Sequence, residues 1–450
     1  MSTTSDLPRA IGKYEIIRHL AWGGMAEVLL ARFGGADGFS RHVVIKRILP
    51  QHSENVAFVQ MFRDEARITA QLLHGNIVQV LEFGCEDGHH HLVLEYVPGV
   101  SLSTLLSALK AQNRRLSVAE AAYVTTEVAR ALDYAHRKRG ADGAPLMIVH
   151  RDVSPSNVLL SNEGEVKLLD FGIARARARL TPTAHGVGTV KGKLSYLAPE
   201  TLEGRAEPRS DLFALGLVAY EMLTSRPPFS GSNEAEVLYR VMAAEIPPAS
   251  LVTPEVPPAF DAILGKLLSR DVEARPARGL EIVEALAPIA SGAARPAVEL
   301  LAATLASLGL ARHEGEPGTM VSRVAEPERP ILVVDQSRTM RAILRSRLPA
   351  GRRVVEAASG EEALVLLRDE VPSVVVCQAM LPGQSGIELC RTARREPGLS
   401  NVPFLLLASD PGAELLREAT AAGVEKVLDK AAGAKELRAA VEALLPRASG

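Results

Sequence analysis

Near the N-terminus, apolar and polar residues alternate in short runs at 15–20, 27–31 and 42–48, with glycine-bearing turns between them. Alternation with period two puts every second side chain on one face, which predicts β-strands. From Ser101 onward the period lengthens: Ala121, Val124, Val128 and Leu132 recur three or four apart, as on one face of a helix. Strands first and helices later predict an α+β domain of two lobes over residues 14–288, after a polar tail at 1–13. A stretch rich in Ala, Gly, Pro and charge follows at 289–329. It reads as a linker with one helix, on which Val298, Leu301, Leu305 and Leu308 share a face expected to pack. Residues 314–329 read as a flexible connector. From 330 to 447 the pattern changes again. Apolar runs at 331–334, 353–357, 373–377, 404–407 and 424–428 alternate with helical segments. Five such βα units predict a doubly wound parallel α/β sheet.

Bulk composition narrows the partners. In 450 residues, 51 basic side chains face 53 acidic ones, a formal charge of −2. That balance supplies no strong field for nucleic acid or a membrane surface. No apolar stretch reaches 18 residues, so no membrane span is expected. The N-terminus lacks the apolar segment of a secretory signal. Cys85, Cys377 and Cys390 stand at no metal-ligand or disulfide spacing. They suit a reducing compartment, hence a cytoplasmic location.

Chemistry-bearing residues concentrate in the first domain. Leu20-Ala21-Trp22-Gly23-Gly24-Met25-Ala26-Glu27-Val28 is a glycine-bearing turn whose backbone N–H groups can approach phosphate oxygens. Alone it is weak, because Gly-Gly turns are common in hairpins. Val43-Val44-Ile45-Lys46 is a strand ending in a lysine able to hold phosphates. Glu65 follows on a helical segment at 55–73, where Phe58, Phe62 and Leu72 bury and Glu65 can face Lys46. His150-Arg151-Asp152-Val153-Ser154-Pro155-Ser156-Asn157, Asp170-Phe171-Gly172 and Ala198-Pro199-Glu200 come next, in that order. Phosphoryl transfer needs a cover for the phosphates, a cation on them, metal ligands, and a carboxylate beside the attacking hydroxyl.

This ordered set resembles the protein kinase superfamily. Its Gly-Gly-Met turn is similar to that of the eukaryotic-like serine/threonine kinases of bacteria. Further matches are His74-Gly75-Asn76-Ile77-Val78, Leu94-Glu95-Tyr96-Val97, Ser210-Asp211-Leu212-Phe213-Ala214-Leu215-Gly216 and Arg275-Pro276. The resemblance implies a bilobal protein kinase fold that uses ATP and Mg²⁺ to phosphorylate protein substrates, including itself. It implies that Lys46, paired with Glu65, holds the phosphates and that Asp152 orients the hydroxyl and takes its proton. Asn157 and Asp170 would hold Mg²⁺. Leu20, Gly23, Gly24, Val28, Leu94 and the backbone of Glu95 to Val97 would surround the nucleotide. Asp211 would anchor the catalytic loop, Arg275 would pair with Glu200, and His150 would be scaffold.

The sequence departs from that pattern in three places. Ala21 and Ala26 stand where glycines are usual, and a methyl group hinders close backbone approach or positive φ. Ser154 replaces a lysine that steadies the transferring phosphate, and Lys193 stands where a threonine is expected near the catalytic aspartate. Lys193 either supplies the missing cation beside Asp152 or is a solvated charge of the activation segment. Residues 173–191 are expected to form the activation loop, with Thr181, Thr183 and Thr189 as candidate autophosphorylation sites. Arg151 could bind such a phosphate. Arg175, Arg177 and Arg179 read as solvated or neutralised by phosphorylation. His89-His90-His91 reads as a hairpin turn rather than a metal site. Residues 137–145 read as a surface insertion.

The C-terminal domain resembles the receiver domain of response regulators, a flavodoxin-like fold. Ile331-Leu332-Val333-Val334-Asp335, Leu381-Pro382-Gly383-Gln384-Ser385-Gly386 and Asp429-Lys430 carry the likeness. Gln378 stands at the phosphoacceptor position, Gln336 replaces one acid of the metal pair, and Ala408 stands where a switch hydroxyl is expected. An amide is neither a carboxylate nucleophile nor an anionic metal ligand. These losses imply a pseudo-receiver that acts through a regulatory partner or self-association; a passive appendage is the alternative. For the whole chain, a serine/threonine kinase is the leading expectation and a pseudokinase scaffold the second. Lys193→Ala tests the relocated cation: a fall in turnover is expected, and full turnover with ATP would exclude the idea.

Overall fold

The computed structural model describes residues 8–22, 26–35, 39–49, 52–53, 55–140, 142–171, 194–229, 231, 234–311, 329–349, 352–369, 371–381, 383–396, 399–409 and 411–445. They form two units, joined near residue 325.

The first unit opens with strands β1 (Ala10–Ile11), β2 (Tyr14–Trp22), β3 (Ala26–Gly34), β4 (Ser40–Ile48), β5 (Val80–Glu86) and β6 (His89–Glu95). They make an antiparallel sheet in the order β1-β2-β3-β4-β6-β5. Side chains alternate across it, so two apolar layers arise from the same strands. Tyr14, Leu29, Ala31, Val43, Ile45 and Val93 pack on one face with Ile11. Leu30, Val44, Ile48 and Leu92 pack on the other, where helix α1 (Val56–Thr69) adds Phe62 and Ala66. Asn55 caps α1 by accepting from the Phe58 N–H. The helix is shorter than the segment 55–73, and Leu72 belongs to the core of the other lobe instead.

The second lobe is helical. Strand β7 (Gly99–Ser101) leads into helices α2 (Leu102–Ala111) and α3 (Val118–His136), and pairs with β8 (Val158–Ser161) and β9 (Val166–Leu168) in a small sheet. A capping box between Ser117 and Glu120 starts α3. Helices α4 (Pro199–Leu202), α5 (Pro208–Thr224), α6 (Glu234–Ala243), α7 (Pro258–Leu267) and α8 (Gly279–Ser291) follow. α5 is buried on nearly every side, as its run Leu212 to Ala219 requires. Gly279 lets α8 press on α3: a Cβ there would sit 2.4 Å from the Ala129 carbonyl oxygen.

Helix α9 (Ala297–Ser307) falls within the stretch 289–329. Ala297, Leu301 and Leu305 are buried, the two leucines within the core of the helical lobe. The Thr304 hydroxyl donates to Glu120 at 2.6 Å. Gly164, at φ +86°, admits α9 so closely that a Cβ would meet the Val298 carbonyl oxygen at 2.2 Å. The residues assigned to a linker at 289–329 therefore begin inside α8 and include a helix packed on the lobe before them. Val298 and Leu308 are half-buried rather than central to the stripe.

The second unit alternates β10 (Ile331–Val334), α10 (Arg338–Arg347), β11 (Val354–Ala357), α11 (Gly360–Asp369), β12 (Val374–Gln378), α12 (Gly386–Arg395), β13 (Phe404–Ala408), α13 (Ala413–Ala421), β14 (Lys426–Asp429) and α14 (Ala434–Leu444). All strand pairs are parallel, in the order β11-β10-β12-β13-β14. Apolar layers cover both faces, so β12 and β13 read as continuous apolar runs rather than alternating ones. The last strand starts two residues later than the apolar run at 424–428 and ends one residue later. Among the described residues, no helix is long and apolar enough to cross a membrane.

One buried ion pair ties the helical lobe together. The Arg275 guanidinium donates in a fork to both Glu200 oxygens, at 2.8 and 2.9 Å, and lies 4.6 Å over the Phe213 ring. Ser210 donates to the same carboxylate. Burial raises the Glu200 pKa, but Arg275 and Ser210 bring it below the usual carboxylate range. Arg275→Ala leaves that charge buried without its main partner. A loss of about 3–5 kcal/mol is expected from denaturant midpoints; a loss below about 1 kcal/mol would refute the assignment.

Candidate active site

The sheet register builds the first part of the site. Val28 pairs with Lys46 across β3 and β4, so both side chains share one face. The Lys46 Nζ lies 3.0 Å from Glu65 Oε1 on α1 and 3.1 Å from Asp170 Oδ1 beyond β9. Burial opposes the lysine's charge, yet Asp170 and then Glu65 more than offset it and hold the pKa well above the usual lysine range. The sequence-expected pair with Glu65 is present, and Asp170 joins it.

The catalytic loop is held by backbone hydrogen bonds. Asp211, at the start of α5, accepts from the His150 N–H at 2.7 Å and the Arg151 N–H at 2.8 Å. Its Oδ2 also lies 2.8 Å from His136 Nε2. The His150 ring is buried against Phe171, with centroids 4.6 Å apart. Its Nε2 lies 2.7 Å from the Leu169 carbonyl oxygen and its Nδ1 accepts from the Asp152 N–H at 3.2 Å. That arrangement fits a neutral imidazole with the proton on Nε2.

Asp152 and Asn157 meet directly. The Asn157 amide nitrogen donates to the Asp152 carbonyl oxygen at 2.7 Å and to Oδ2 at 2.8 Å. With its nitrogen so engaged, that side chain keeps its amide oxygen as an acceptor. The Leu169 N–H donates to the Asn157 carbonyl at 2.8 Å, which ties this loop to the residue before Asp170. Asp170 sits at φ +39°, a left-handed conformation uncommon for a residue with a side chain. The donor set at Asp170 and Asn157 is oxygen only, which suits Mg²⁺ rather than a softer metal. Ser154 is buried, with its Oγ 2.9 Å from Ser156 Oγ. It brings no charge to the loop.

Apolar residues line up beside these groups. Leu20, Leu94 and Val97 are buried in one cluster, with Val28 packed against it. The Glu95 carboxylate is engaged elsewhere: it accepts from the Gln79 N–H and from Lys167 Nζ, both at 2.9 Å. The Val97 N–H has no backbone partner among the described residues. Leu159 and Leu169 belong to the same cluster and were not anticipated. The signal was in β8: Val158 and Leu160 enter the helical core, so strand alternation turns Leu159 toward the other side. Gly23, Gly24, Lys193, Thr181, Thr183 and Thr189 lie outside the described residues.

The second unit has its own polar centre at the C-terminal ends of its strands. Asp335, fully buried, lies 3.3 Å from Lys430 Nζ and accepts from the Ser337 N–H at 2.8 Å. Gln378 stands between them. Its neighbours set the amide orientation: Nε2 donates to Asp335 Oδ2 at 2.9 Å and Oε1 accepts from Lys430 at 3.2 Å. Ala408 lies at the same edge, its carbonyl accepting from the Lys430 N–H at 2.7 Å.

Residues 14–286 match the protein kinase domain family, and residues 331–442 match the response regulator receiver domain. The chain belongs to the protein kinase family and carries a receiver domain behind it. Over 265 residues it is 45% identical to Tyrosine-protein kinase MasK of Myxococcus xanthus, covering 59% of this chain and 41% of that protein. It is 35% identical over 264 residues to Serine/threonine-protein kinase PrkC of Bacillus subtilis, covering 58% and 38%. Serine/threonine-protein kinase PknL of Mycobacterium tuberculosis is 34% identical over 286 residues, covering 63% and 67%. The chain thus spans about two-fifths of the first two relatives.

His150 makes the catalytic loop sensitive to acid. Burial pushes its pKa below the ordinary 6.5, against the pull of Asp211. The unfolded chain therefore takes up this proton more readily than the folded one. The stability this ring contributes is complete above about pH 6.5 and is lost as the pH falls toward the depressed value. Melting temperatures of wild type and His150→Gln between about pH 7.5 and pH 5.5 check this. The variant's slope should be shallower; equal slopes would exclude the assignment.

Proposed function

We propose that this chain is an active ATP-dependent serine/threonine protein kinase. The observation that carries the reading is Lys46 held between Glu65 and Asp170 at 3.0 and 3.1 Å, beside a loop in which Asn157 braces Asp152. In this reading Lys46 holds the ATP phosphates, Asp170 and the Asn157 amide oxygen hold Mg²⁺, and Leu20, Val28, Leu94, Val97 and Leu159 enclose the base. Gly23 and Gly24 cover the phosphates, and the Val97 N–H and Glu95 carbonyl meet the adenine edge. Bound Mg²⁺ supplies charge neutralisation on the phosphate oxygens. Asp152 orients a protein hydroxyl and takes its proton as the γ-phosphoryl group passes from ATP to that oxygen, giving ADP and a phosphoprotein. Lys193 is the candidate for the charge that Ser154 does not bring. The catalytic unit would run from residue 14 through α9, and the receiver unit from 330.

The receiver unit, in the same reading, takes no phosphate and works by contact with a partner or a second copy. Gln378 at the acceptor position, wedged between Asp335 and Lys430, supports this. The free thiols Cys377 and Cys390, both buried, suit a reducing cytoplasm.

One finding favours a second acceptor. The relative at 45% identity bears the name of a tyrosine kinase. A single experiment separates the readings. The full chain and Asp152→Asn are incubated with labelled ATP and Mg²⁺, and the label is identified by phosphoamino-acid analysis. Wild-type label on serine or threonine, at least about a hundredfold above the variant, is expected. Label on tyrosine would support the second acceptor, and none above the variant would point to a scaffold. A parallel arm gives Asp152→Asn a small acyl-phosphate donor; a stoichiometric acyl-phosphate on the chain would overturn the contact-only receiver.

A further inference from the structure

The face of the N-terminal sheet turned away from Lys46 holds a charged group that the phosphate chemistry does not use. Glu27 follows the glycine turn directly and pairs with Trp22 on β2 and Arg47 on β4. Since Val28 and Lys46 share the cleft face, alternation turns Glu27 and Arg47 to the opposite one. There Glu27 is 2% exposed, rare for a carboxylate. Its Oε1 accepts from Arg47 Nε at 2.7 Å and the same guanidinium approaches at 2.5 Å through its terminal nitrogen. Its Oε2 lies 3.3 Å from Nε2 of His19, one residue before Leu20.

One carboxylate therefore bridges three strands: the arm entering the phosphate turn, the arm leaving it, and the strand that carries Lys46. Burial raises the Glu27 pKa, but His19 and Arg47 together bring it below the usual range, so the group is charged at neutral pH. On the cleft side the turn is flanked by Ala21 and Ala26, whose methyl groups restrict the backbone more than glycine would.

We propose that Glu27 is a positioning residue for the nucleotide: with Arg47 and His19 it clamps the end of β2 and the start of β3 to the Lys46 strand, and so fixes where these strands stand against the nucleotide. The clamp touches no substrate atom, so its loss acts on ATP affinity before it acts on turnover. A role confined to folding would instead lower stability and leave the affinity of the folded enzyme unchanged.

This inference rests on the kinase reading, and the two fail differently. Wild type, Glu27→Gln, Arg47→Gln and the double variant of the 450-residue chain are compared by binding of a fluorescent ATP analogue and by steady-state kinetics. Each single variant should raise the dissociation constant and the KM for ATP about tenfold, with kcat at saturating ATP within about twofold. The double variant should be no worse than the poorer single one, because both break the same contact. Unchanged nucleotide affinity in variants with wild-type near-ultraviolet circular dichroism overturns the clamp, as does strict additivity in the double variant. If Glu27→Gln does not fold, His19→Gln carries the test, with a rise of about threefold expected and an unchanged affinity decisive against it. A wild type that neither binds nor turns over ATP refutes the kinase reading before any variant is compared.

Discussion

A buried ammonium group organises the catalytic half of this chain. Lys46 is largely withdrawn from water, and desolvating such a charge costs several kcal/mol. Glu65 at 3.0 Å returns roughly 5 kcal/mol of gross attraction at an effective dielectric of 20, about enough to balance that cost. Asp170 at 3.1 Å adds a second attraction, and the two acids together outweigh the cost. The consequence is architectural. The lysine comes from a strand, one acid from α1, and the other from the segment beyond β9. Three elements must be placed correctly before the ammonium is tolerated at all. The sheet register that puts Val28 opposite Lys46, and the hydrogen bond from Leu169 to Asn157 that fixes the chain before Asp170, both serve that placement.

Asp211 has the same standing in the helical lobe. A carboxylate at the first turn of a buried helix accepts two consecutive loop N–H groups and faces His136. Those donors would otherwise be buried without partners, so the loop's strained turn at Arg151, φ +65°, persists because the helix beneath it over-determines it. The pair of Arg275 and Glu200 then fixes α4 against the residues before α8. Asp152 follows Arg151 in this loop, so its position follows from these contacts.

Much of this was legible in the sequence, and the boundary of legibility is physical. Period two at 15–20 and 42–48 located strands because one face of each is buried and the pattern must show it. The βα alternation after residue 330 was readable for the same reason. The expected partners of Lys46, Asp211 and Arg275 were readable because ordered motifs fix residue types at fixed places. What escaped was packing between distant segments. A stripe of Val298, Leu301, Leu305 and Leu308 announces that a helix is covered, but not that α3 covers it. Pro288 looked like an end, yet α8 runs through it to Ser291. Leu159 and Glu27 escaped because each sits in an ordinary strand run, and only the register shows what stands opposite.

The two polar centres of the chain can be compared by charge. Around Lys46, two carboxylates, Glu65 and Asp170, face one ammonium among the described residues. That is an excess of negative charge, with oxygen donors, of the kind that draws a divalent cation accompanied by phosphate. At the C-terminal edge of the parallel sheet, one carboxylate, Asp335, faces one ammonium, Lys430, and the Gln378 amide fills the space between them. Its nitrogen satisfies the acid and its oxygen satisfies the lysine, so the centre is neutral and its hydrogen bonds are closed. A divalent ion entering there would have to break the Lys430 pair and gain one charged ligand in return. A carboxylate at position 378 would have left the excess that an amide removes. The same accounting leaves the first centre with an unbalanced negative charge and the second with none.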